Sequence, residues 1–202
     1  MRVVLFGATG RTGRLVLARL AAAGHDVVPY GRRVPEGWAG AAVTGAVDDR
    51  AAVAAVIAGA DAAVSCLGST PKVRACLPAT AGVIAAAPAG FRHVVIGGAA
   101  VDAPGDAKGL PDRLVSALAR LVAGPMIAER QAELDALRAS GLGWTFLRPP
   151  QLKDGPGTGR FRLTFDKPAA ISIDRADLAA AVVAVLGDPA MAGRAPFVAR
   201  GA

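Results

Sequence analysis

Three glycines near the start of the chain have the spacing of a phosphate-binding turn. The stretch "RVVLFGATGRTGRLVLARL" places this GxxGxxG pattern between an apolar, strand-like run and a helical pattern. The first glycine permits a tight turn, the second lets the backbone approach a pyrophosphate, and the third lets the helix pack against the sheet. The alternative is a tight turn that binds nothing. The predicted dinucleotide-binding residues of the turn are Gly7, Thr9, Gly10, Arg11, Thr12 and Gly13.

Two arginines follow the second strand-like run, in "PYGRR" at 29–33. Sites that prefer NAD usually carry a carboxylate at this point, which binds the ribose 2′-hydroxyl. Arg32 and Arg33 can instead form charge-assisted bonds to a 2′-phosphate. The residues therefore favour NADPH or NADP as the cofactor over NAD, and the alternative is a pair of surface arginines in a loop.

Further loops follow the later strands of the predicted sheet. In a parallel sheet, the loops at the carboxyl ends of the strands line one crevice. The glycines of these loops permit a close approach of the backbone to a cofactor, and the double proline makes a stiff wall. The additional cofactor-binding residues predicted here are Leu67, Gly68, Ser69, Gly97, Gly98, Ala99, Pro149 and Pro150.

Apolar runs rich in valine alternate with alanine-rich helical stretches along the chain. This order predicts an α/β fold: a Rossmann-type, doubly wound, mostly parallel sheet with helices on both faces. No linker or repeat divides the chain, so 1–202 is expected to form a single domain. The predicted strands are 3–6, 27–30, 42–45, 62–67, 93–96 and 144–147, and the predicted helices are 11–23, 49–58, 71–87 and 125–140.

Two stretches interrupt the alternating pattern, and both could cover a substrate. Residues 101–113 are rich in Pro, Gly and Asp, and an apolar stripe at helical spacing follows them, at Leu114, Leu118, Leu121 and Val122. The stripe predicts either a core helix or a flap over a pocket. The second stretch, "DGPGTGRFRLTF", predicts a turn and then a half-exposed strand. The predicted substrate-covering elements are thus about 101–124 and 151–170, and Asp174 with Asp177 is predicted to cap a final helix.

Composition limits the classes of function. The net charge is +7, yet aromatic residues are 4% of the chain and no dense basic run occurs, so a nucleic-acid partner is not expected. No apolar run reaches the ~18 residues of a membrane span, and the first residues lack the layout of a signal peptide. Cys66 and Cys76 lack metal-ligand spacing, so we expect no metal site and a reduced, cytoplasmic location. His25 and His93 are expected to be structural.

With these residues in place, the chain resembles the atypical short-chain dehydrogenase/reductases. Within them it is most similar to the NAD(P)H-binding group that includes biliverdin-IXβ reductase (flavin reductase) and lies near the NmrA-like proteins. The matching motifs are "FGATGRTG", "LGS", the block "LRASGLGWTFLRPPQLKDGPGTGRFRL" at 137–163 and "RADLAAAVV". The resemblance implies NADPH as the reductant and an open, apolar pocket over the nicotinamide. It also implies flat, conjugated substrates such as flavins and tetrapyrroles.

The chain departs from the machinery that this resemblance implies. The superfamily uses a tyrosine acid with a nearby lysine, but Tyr30 is the one tyrosine here, and the four lysines form no YxxxK. A serine that often follows the fifth strand is replaced by Ala99, and a histidine that can follow the double proline is replaced by Gln151. Gln151 is therefore a candidate to orient a substrate carbonyl but cannot serve as an acid. The aspartate often found after the third strand is replaced by Ala46.

One further pair of charged residues is ambiguous. Glu129 and Arg130 either face the pocket or form a solvated pair on a helix face, and the second interpretation is favoured.

These features predict an NADPH-dependent reductase that transfers hydride directly to a flat, conjugated acceptor. Such a reaction needs no strong acid from the protein, because the cofactor carries the chemistry and solvent can supply the proton. Two alternatives remain: a non-catalytic NADP(H)-binding regulator of the NmrA-like type, and a redox-neutral biosynthetic enzyme. The expected partner is a small molecule, and the chain is expected to be a monomer or a homodimer.

Overall fold

A computed structural model describes residues 1–70 and 73–201, with the backbone alone at 111 and 113. The described strands are β1 (Arg2–Phe6), β2 (Asp26–Gly31), β3 (Val43–Thr44), β4 (Ala62–Ser65), β5 (Arg92–Ile96), β6 (Gly143–Leu147), β7 (Gln151–Lys153), β8 (Phe161–Thr164), β9 (Ser172–Asp174) and β10 (Phe197–Arg200). The described helices are α1 (Arg11–Ala22), α2 (Arg50–Ile57), α3 (Cys76–Ala86), α4 (Leu110–Ala139) and α5 (Arg175–Leu186), with a short 3₁₀ helix at Pro189–Met191.

Six of these strands form the central sheet, in the order β3-β2-β1-β4-β5-β6. Neighbouring strands pair in parallel throughout this sheet. The order reverses between β1 and β4, because the chain winds outward in one direction from β1 and then returns to start again at β4. The predicted fold class is confirmed, since this is the strand order of a Rossmann-type sheet.

Helices cover both faces of the sheet, and the alternation of side chains along β1 shows how. Val3 and Leu5 pack with α1 and α5 in one buried cluster, whereas Val4 and Phe6 pack with α2, α3 and α4 in the other. All four side chains are fully buried. A strand buried on both faces is apolar at every position, which is why the sequence predicted these strands as continuous apolar runs.

The predicted boundaries are correct to within a few residues for most elements, with two exceptions. The helix predicted over 71–87 begins at Cys76, and positions 71 and 72 of that prediction lie outside the described residues. The helix predicted over 125–140 instead begins at Leu110. It bends where Ala123 leaves helical geometry (φ −127°, ψ 24°), two residues before Pro125. Proline cannot donate the helical hydrogen bond and crowds the preceding turn, so a bend there has an identifiable cause.

The segment after β6 forms two small sheets beside the main one. The strand predicted after the "DGPGTG" turn is β8, which pairs antiparallel with β10. Strands β7 and β9 pair in parallel, and neither was predicted from the sequence. Asp174 occupies the N-cap position of α5, but its side chain makes no capping bond, so the predicted cap is wrong in its chemistry. Asp177 instead accepts bonds from the amides of Thr158 and Gly159.

A buried arginine fastens the 101–109 loop to the edge of the sheet. The Arg148 guanidinium donates to Asp106 Oδ2 at 2.7 Å and to the Ala195 carbonyl at 2.8 Å. It also lies 3.7 Å from the centroid of the Phe197 ring. The Lys108 ammonium donates to Asp102 Oδ1 at 2.7 Å. The Asp106–Arg148 pair therefore attaches the loop to the residue that follows β6.

The first part of α4 differs most from its prediction. Leu114, Leu118, Leu121 and Val122 were expected to be core residues or a flap, and all four are more than half exposed. The core interpretation is therefore wrong. No helix among the described residues combines the length and apolar character that a membrane crossing requires.

Candidate functional site: a crevice at the carboxyl edge of the sheet

The glycine turn between β1 and α1 is built by close backbone contacts. Gly7 has φ +78°, a conformation that favours glycine, and a Cβ there would lie 2.9 Å from the Cys66 carbonyl carbon. A Cβ on Gly13 would lie 2.0 Å from the Gly7 carbonyl oxygen, so a side chain there would push α1 away from the turn. The turn thus has the tight geometry that its spacing predicted.

The start of α1 presents amide groups to the crevice edge. Gly10 is the N-cap residue and offers no side chain to the helix end. The first hydrogen bond of the helix is donated by the Arg14 amide to the Gly10 carbonyl, at 2.9 Å. The amides of residues 11–13 come before this bond, so the helix provides no carbonyl for them. Free N–H groups and the positive end of the helix dipole favour an anion at such a position.

A cavity of about 390 Å³ opens between the ends of β1, β2 and β4, at the reversal of strand order. Six of the predicted cofactor-binding residues line it: Gly7, Thr9, Arg32, Arg33, Leu67 and Gly68. Its remaining lining residues were not predicted: Ala8, Pro29, Tyr30, Gly31, Ala46, Val47, Asp48, Thr70, Val73, Arg74 and Ala75. Most of these follow a strand end, so a fuller application of the carboxyl-edge rule would have found them.

Charged side chains concentrate at the β2 end of this cavity. Arg32 and Arg33 are exposed, and neither guanidinium bonds to any part of the chain that the structure describes. Arg74 also lines the cavity, with one guanidinium nitrogen donating to the Pro125 carbonyl at 2.8 Å. Asp48 lines it as well, whereas its neighbour Asp49 caps α2 by accepting from the Ala52 amide. Two arginines without a partner in the described part of the chain, and one arginine with a backbone bond, can thus face an anionic ligand.

The other predicted residues do not line this cavity. Ser69 turns toward the protein, where its hydroxyl lies 3.1 Å from Cys76 Sγ. Gly97 is explained by packing, because a Cβ there would lie 2.0 Å from a ring carbon of Phe146. The remaining residues absent from the lining are Gly10, Arg11, Thr12, Gly13, Gly98, Ala99, Pro149, Pro150 and Gln151. Their contact with a cofactor or substrate stays a prediction.

The loops after β5 and β6 are joined side by side at the carboxyl edge. The Ala99 amide donates to the Pro149 carbonyl at 2.9 Å, and the Gly97 amide donates to the Leu147 carbonyl at 2.8 Å. Gln151 is the first residue of β7 and its side chain is exposed. Its backbone amide donates to the Ile171 carbonyl. These bonds place the "IGGAA" and "RPPQL" loops on the same edge as the glycine turn, as the parallel sheet predicted.

Glu129 is buried and the Arg130 side chain is only 13% exposed, so the interpretation as a solvated pair is wrong. Glu129 Oε1 accepts from the amides of Cys76 and Leu77 at the start of α3, at 3.0 and 3.3 Å. Arg130 donates to Glu133 Oε2 at 2.6 Å and to the Leu67 carbonyl. The pair therefore holds the β4 loop and the α3 start in place behind the cavity. The bonds to Cys76, Leu77 and Leu67 join residues more than 50 positions apart, which no local pattern reveals.

An aspartate links the glycine turn to the segment after β6. Asp154 accepts from Arg11 at 2.8 Å and from Arg175 at 2.7 Å. Arg11 and Asp154 are mostly exposed, so the Arg11 bond is weak in water. Arg11 can therefore leave Asp154 for a more highly charged anion at the turn.

A second cavity of about 540 Å³ lies along the outer edge of β6 and shares no lining residue with the first. Both segments predicted to cover a substrate contribute to it, through residues 103–105 and 165–166. Trp144 and Arg194 form part of its other wall, and the Arg194 guanidinium lies 5.5 Å from the centroid of the Phe165 ring.

A tyrosine and two cysteines near the crevice are held in their neutral forms, because their pKa values are raised. Burial, with the charges of Asp49 and Asp48, raises the pKa of Tyr30, whose hydroxyl donates to the Ala46 carbonyl at 2.7 Å. Burial raises the pKa of the Cys66 thiol to about 12 and that of Cys76 to about 11. Neither thiol is a nucleophile at neutral pH, because only the thiolate attacks. Among the described residues, no group of His, Cys, Asp and Glu could hold a metal ion.

Comparison with known families agrees with this geometry. A family model described as NAD(P)H-binding matches residues 7–189. The chain belongs to this NAD(P)H-binding family. The match covers both the glycine turn and the late block, so the resemblance inferred from the motifs is confirmed. The family also establishes the cofactor class as a nicotinamide dinucleotide.

One curated relative is similar to this chain over almost its whole length. The (4-alkanoyl-5-oxo-2,5-dihydrofuran-3-yl)methyl phosphate reductase of Streptomyces griseus is 34% identical over an alignment of 209 positions that covers 96% of this chain. The match covers 66% of that relative, so the chain spans slightly less than two thirds of its length.

Solved structures share the fold at lower identity. ChuY, an anaerobillin reductase from Escherichia coli O157:H7, superposes with a TM-score of 0.81 at 22% identity, covering 99% of this chain and 97% of that one. A candidate NADH-flavin reductase from Streptococcus pneumoniae TIGR4 gives a TM-score of 0.76 at 22% identity, with 100% of both chains covered. The chain therefore has the fold of NAD(P)H-binding reductases.

Proposed function

We propose that this protein is an NADPH-dependent reductase that passes hydride to a flat, conjugated acceptor such as a flavin, tetrapyrrole, quinone or aromatic natural product. The observation that carries the proposal is the crevice itself. A glycine turn and the start of α1 stand at the reversal of strand order, beside two arginines that have no bonding partner among the described residues. The reductase named among the relatives supports redox chemistry within the family.

The glycine turn of the crevice has the geometry that a nicotinamide dinucleotide requires. The turn leaves no room for a Cβ at Gly7 or Gly13, and the amides at the start of α1 suit the pyrophosphate. We assign Arg32 and Arg33 to the 2′-phosphate, because they line the cavity without an ion-pair partner among the described residues. This assignment makes NADPH the favoured cofactor over NADH.

When bound, the cofactor supplies a hydride at the nicotinamide ring, and the chain's residues orient the two rings and exclude water. We assign the loops around Gly98, Ala99 and Pro149 to the nicotinamide end, since they share the carboxyl edge with the turn. We assign Gln151 the role of orienting the acceptor by donating to its carbonyl. Tyr30 is buried and bonded to a backbone carbonyl, so the proton of the reduced acceptor comes from solvent.

The first experiment follows NADPH absorbance with the purified protein and four acceptors: FMN, riboflavin, biliverdin and a quinone. We expect NADPH loss that requires both the protein and an acceptor, and that is slower with NADH. The Arg32→Ala/Arg33→Ala variant serves as the matched control, since turnover from a contaminating enzyme would persist in it at limiting NADPH. Binding of NADPH without turnover on any acceptor would contradict the reductase proposal.

Such a result would favour the second candidate, a non-catalytic NADP(H)-binding regulator. One observation supports that candidate: within the described residues, the cavity lining holds no acid paired with a lysine, and its one tyrosine is structural. A regulator should bind NADPH and NADP with different affinities and should consume neither. A redox-neutral enzyme on the same fold would instead transform its substrate while the NADPH concentration stays constant.

A further inference from the structure

The first part of α4, residues 110–122, exposes an unusual amount of apolar surface. Six large apolar side chains on this segment are more than half exposed: Leu110 at 81%, Leu114 at 63%, Val115 at 66%, Leu118 at 55%, Leu121 at 83% and Val122 at 87%. Soluble monomers rarely display a contiguous apolar patch of this size unless something covers it. We call these six residues the α4 apolar face.

The opposite side of the same segment is polar and attached to the protein. Ser116 is buried, and Arg120 donates to the Ala100 carbonyl and to Asp102. Asp112 accepts from the Gly109 amide at the helix start. An ordinary surface helix turns its apolar stripe toward the protein. In this segment the apolar stripe faces outward, and the polar side is hydrogen-bonded to the rest of the chain. The exposure is thus built into the way the segment is attached.

We propose that the α4 apolar face is the interface of a homodimer, in which a second copy of this chain covers it. Six leucine and valine side chains exposed to this degree present roughly 700 Å² of surface, close to the ~800 Å² that each partner contributes to a standard interface. A twofold axis brings the same patch together from both copies, so the face needs no complement elsewhere on the molecule.

The charges around the face favour a second copy over a charged partner. Asp112 and Arg120, whose side chains the structure describes, are already bonded within their own chain. The six face residues themselves carry no charge. A segment of 13 residues is about 20 Å long, so two copies lying antiparallel can cover each other along their whole length. The core of such an interface is apolar and free of charged residues, as this face is.

The first test measures mass in solution at micromolar concentration by light scattering, for the wild type and for Leu114→Glu/Leu121→Glu. Both positions are exposed, so the variant should keep its fold, as circular dichroism will check. We expect a dimer for the wild type and a monomer for the variant. The matched control is Ile171→Glu, a residue 84% exposed outside α4, which should remain a dimer. A monomeric wild type at every concentration tested would overturn the proposal.

The second test locates the contact by cross-linking. Leu118 lies near the middle of the segment, so Leu118→Cys should come close to its own copy across a twofold axis. Burial keeps the native Cys66 and Cys76 thiols protonated, with raised pKa values, so the introduced thiol is the reactive one. With a copper–phenanthroline oxidant, two thiols lose two protons and two electrons and form an intermolecular disulfide. We expect this dimer for Leu118→Cys and not for Ile171→Cys.

Two other outcomes would replace the second copy with a different occupant, and each overturns the proposal. Anionic phospholipid vesicles could retain the wild type but release Leu114→Glu/Leu121→Glu, which would assign the face to a membrane surface. Alternatively, the variant could keep the wild-type mass while its KM for an acceptor rises, which would assign the face to the substrate. The NADPH affinity should be the same for the wild type and the variant in every case, because the face shares no residue with the cofactor cavity.

Discussion

At the scale of single residues, the choice between NADPH and NADH depends on Arg32 and Arg33. We expect Arg32→Ala/Arg33→Ala to weaken NADPH binding by more than about 10-fold, since even one charged hydrogen bond contributes roughly 1.5–3 kcal/mol. NADH lacks the 2′-phosphate, so its affinity should change little. Isothermal titration of both cofactors measures the difference. Arg19→Ala/Arg138→Ala removes the same charge at exposed positions outside the cavity, and should leave both affinities unchanged. Equal losses for NADPH and NADH would contradict the assignment.

At the scale of elements, the sequence predicted what is local and repetitive. The strands buried on both faces and the glycine turn could be recognised because each follows from one short pattern. The helical spacing of Leu114, Leu118 and Leu121 also predicted a helix correctly. It could not tell which side of that helix would be covered, because an apolar stripe looks the same against a core or against a partner.

Long-range contacts explain what the sequence could not predict in the site. Glu129 accepts from the α3 amides, and Arg130 reaches the Leu67 carbonyl on the β4 loop. These contacts join residues more than 50 positions apart. The charges were therefore interpreted as solvated, which is the ordinary case for a helix surface. The loop behind the cofactor cavity depends on this pair, so its role can be measured.

We expect Arg130→Met to lower the free energy of unfolding by about 3–5 kcal/mol, because it leaves the fully buried Glu133 carboxylate without its cation. Adding Glu133→Gln should recover part of the loss, since the uncompensated charge is then removed. Urea denaturation measures both changes. Arg138→Met breaks the exposed pair with Asp135 on the same helix and should cost no more than about 0.5 kcal/mol. Equal effects at Arg130 and Arg138 would contradict the proposed role.

At the scale of the whole molecule, His93 ties global stability to pH. It lies in β5 with no exposed surface, and its Nδ1 is 3.2 Å from the Ala63 carbonyl oxygen. Burial lowers the pKa of His93 to about 4, with a further lowering from Arg92 and an opposing effect of the Ala63 bond. The unfolded chain has an ordinary histidine pKa of about 6.5, so below that pH it binds a proton that the folded chain excludes. Stability from this residue is therefore present above pH 6.5 and is lost as the pH falls toward 4.

The expected size of this loss is about 2 kcal/mol between pH 7 and pH 5. His93→Gln cannot titrate, so its free energy of unfolding should fall by about 2 kcal/mol less than that of the wild type over this interval. Urea denaturation at both pH values isolates the histidine, because every other titrating group is common to the two proteins. His25→Gln, at a partly exposed position, is the matched control and should follow the wild type more closely. If His93→Gln and the wild type lost equal stability on acidification, the buried imidazole would not be the group that sets this pH dependence.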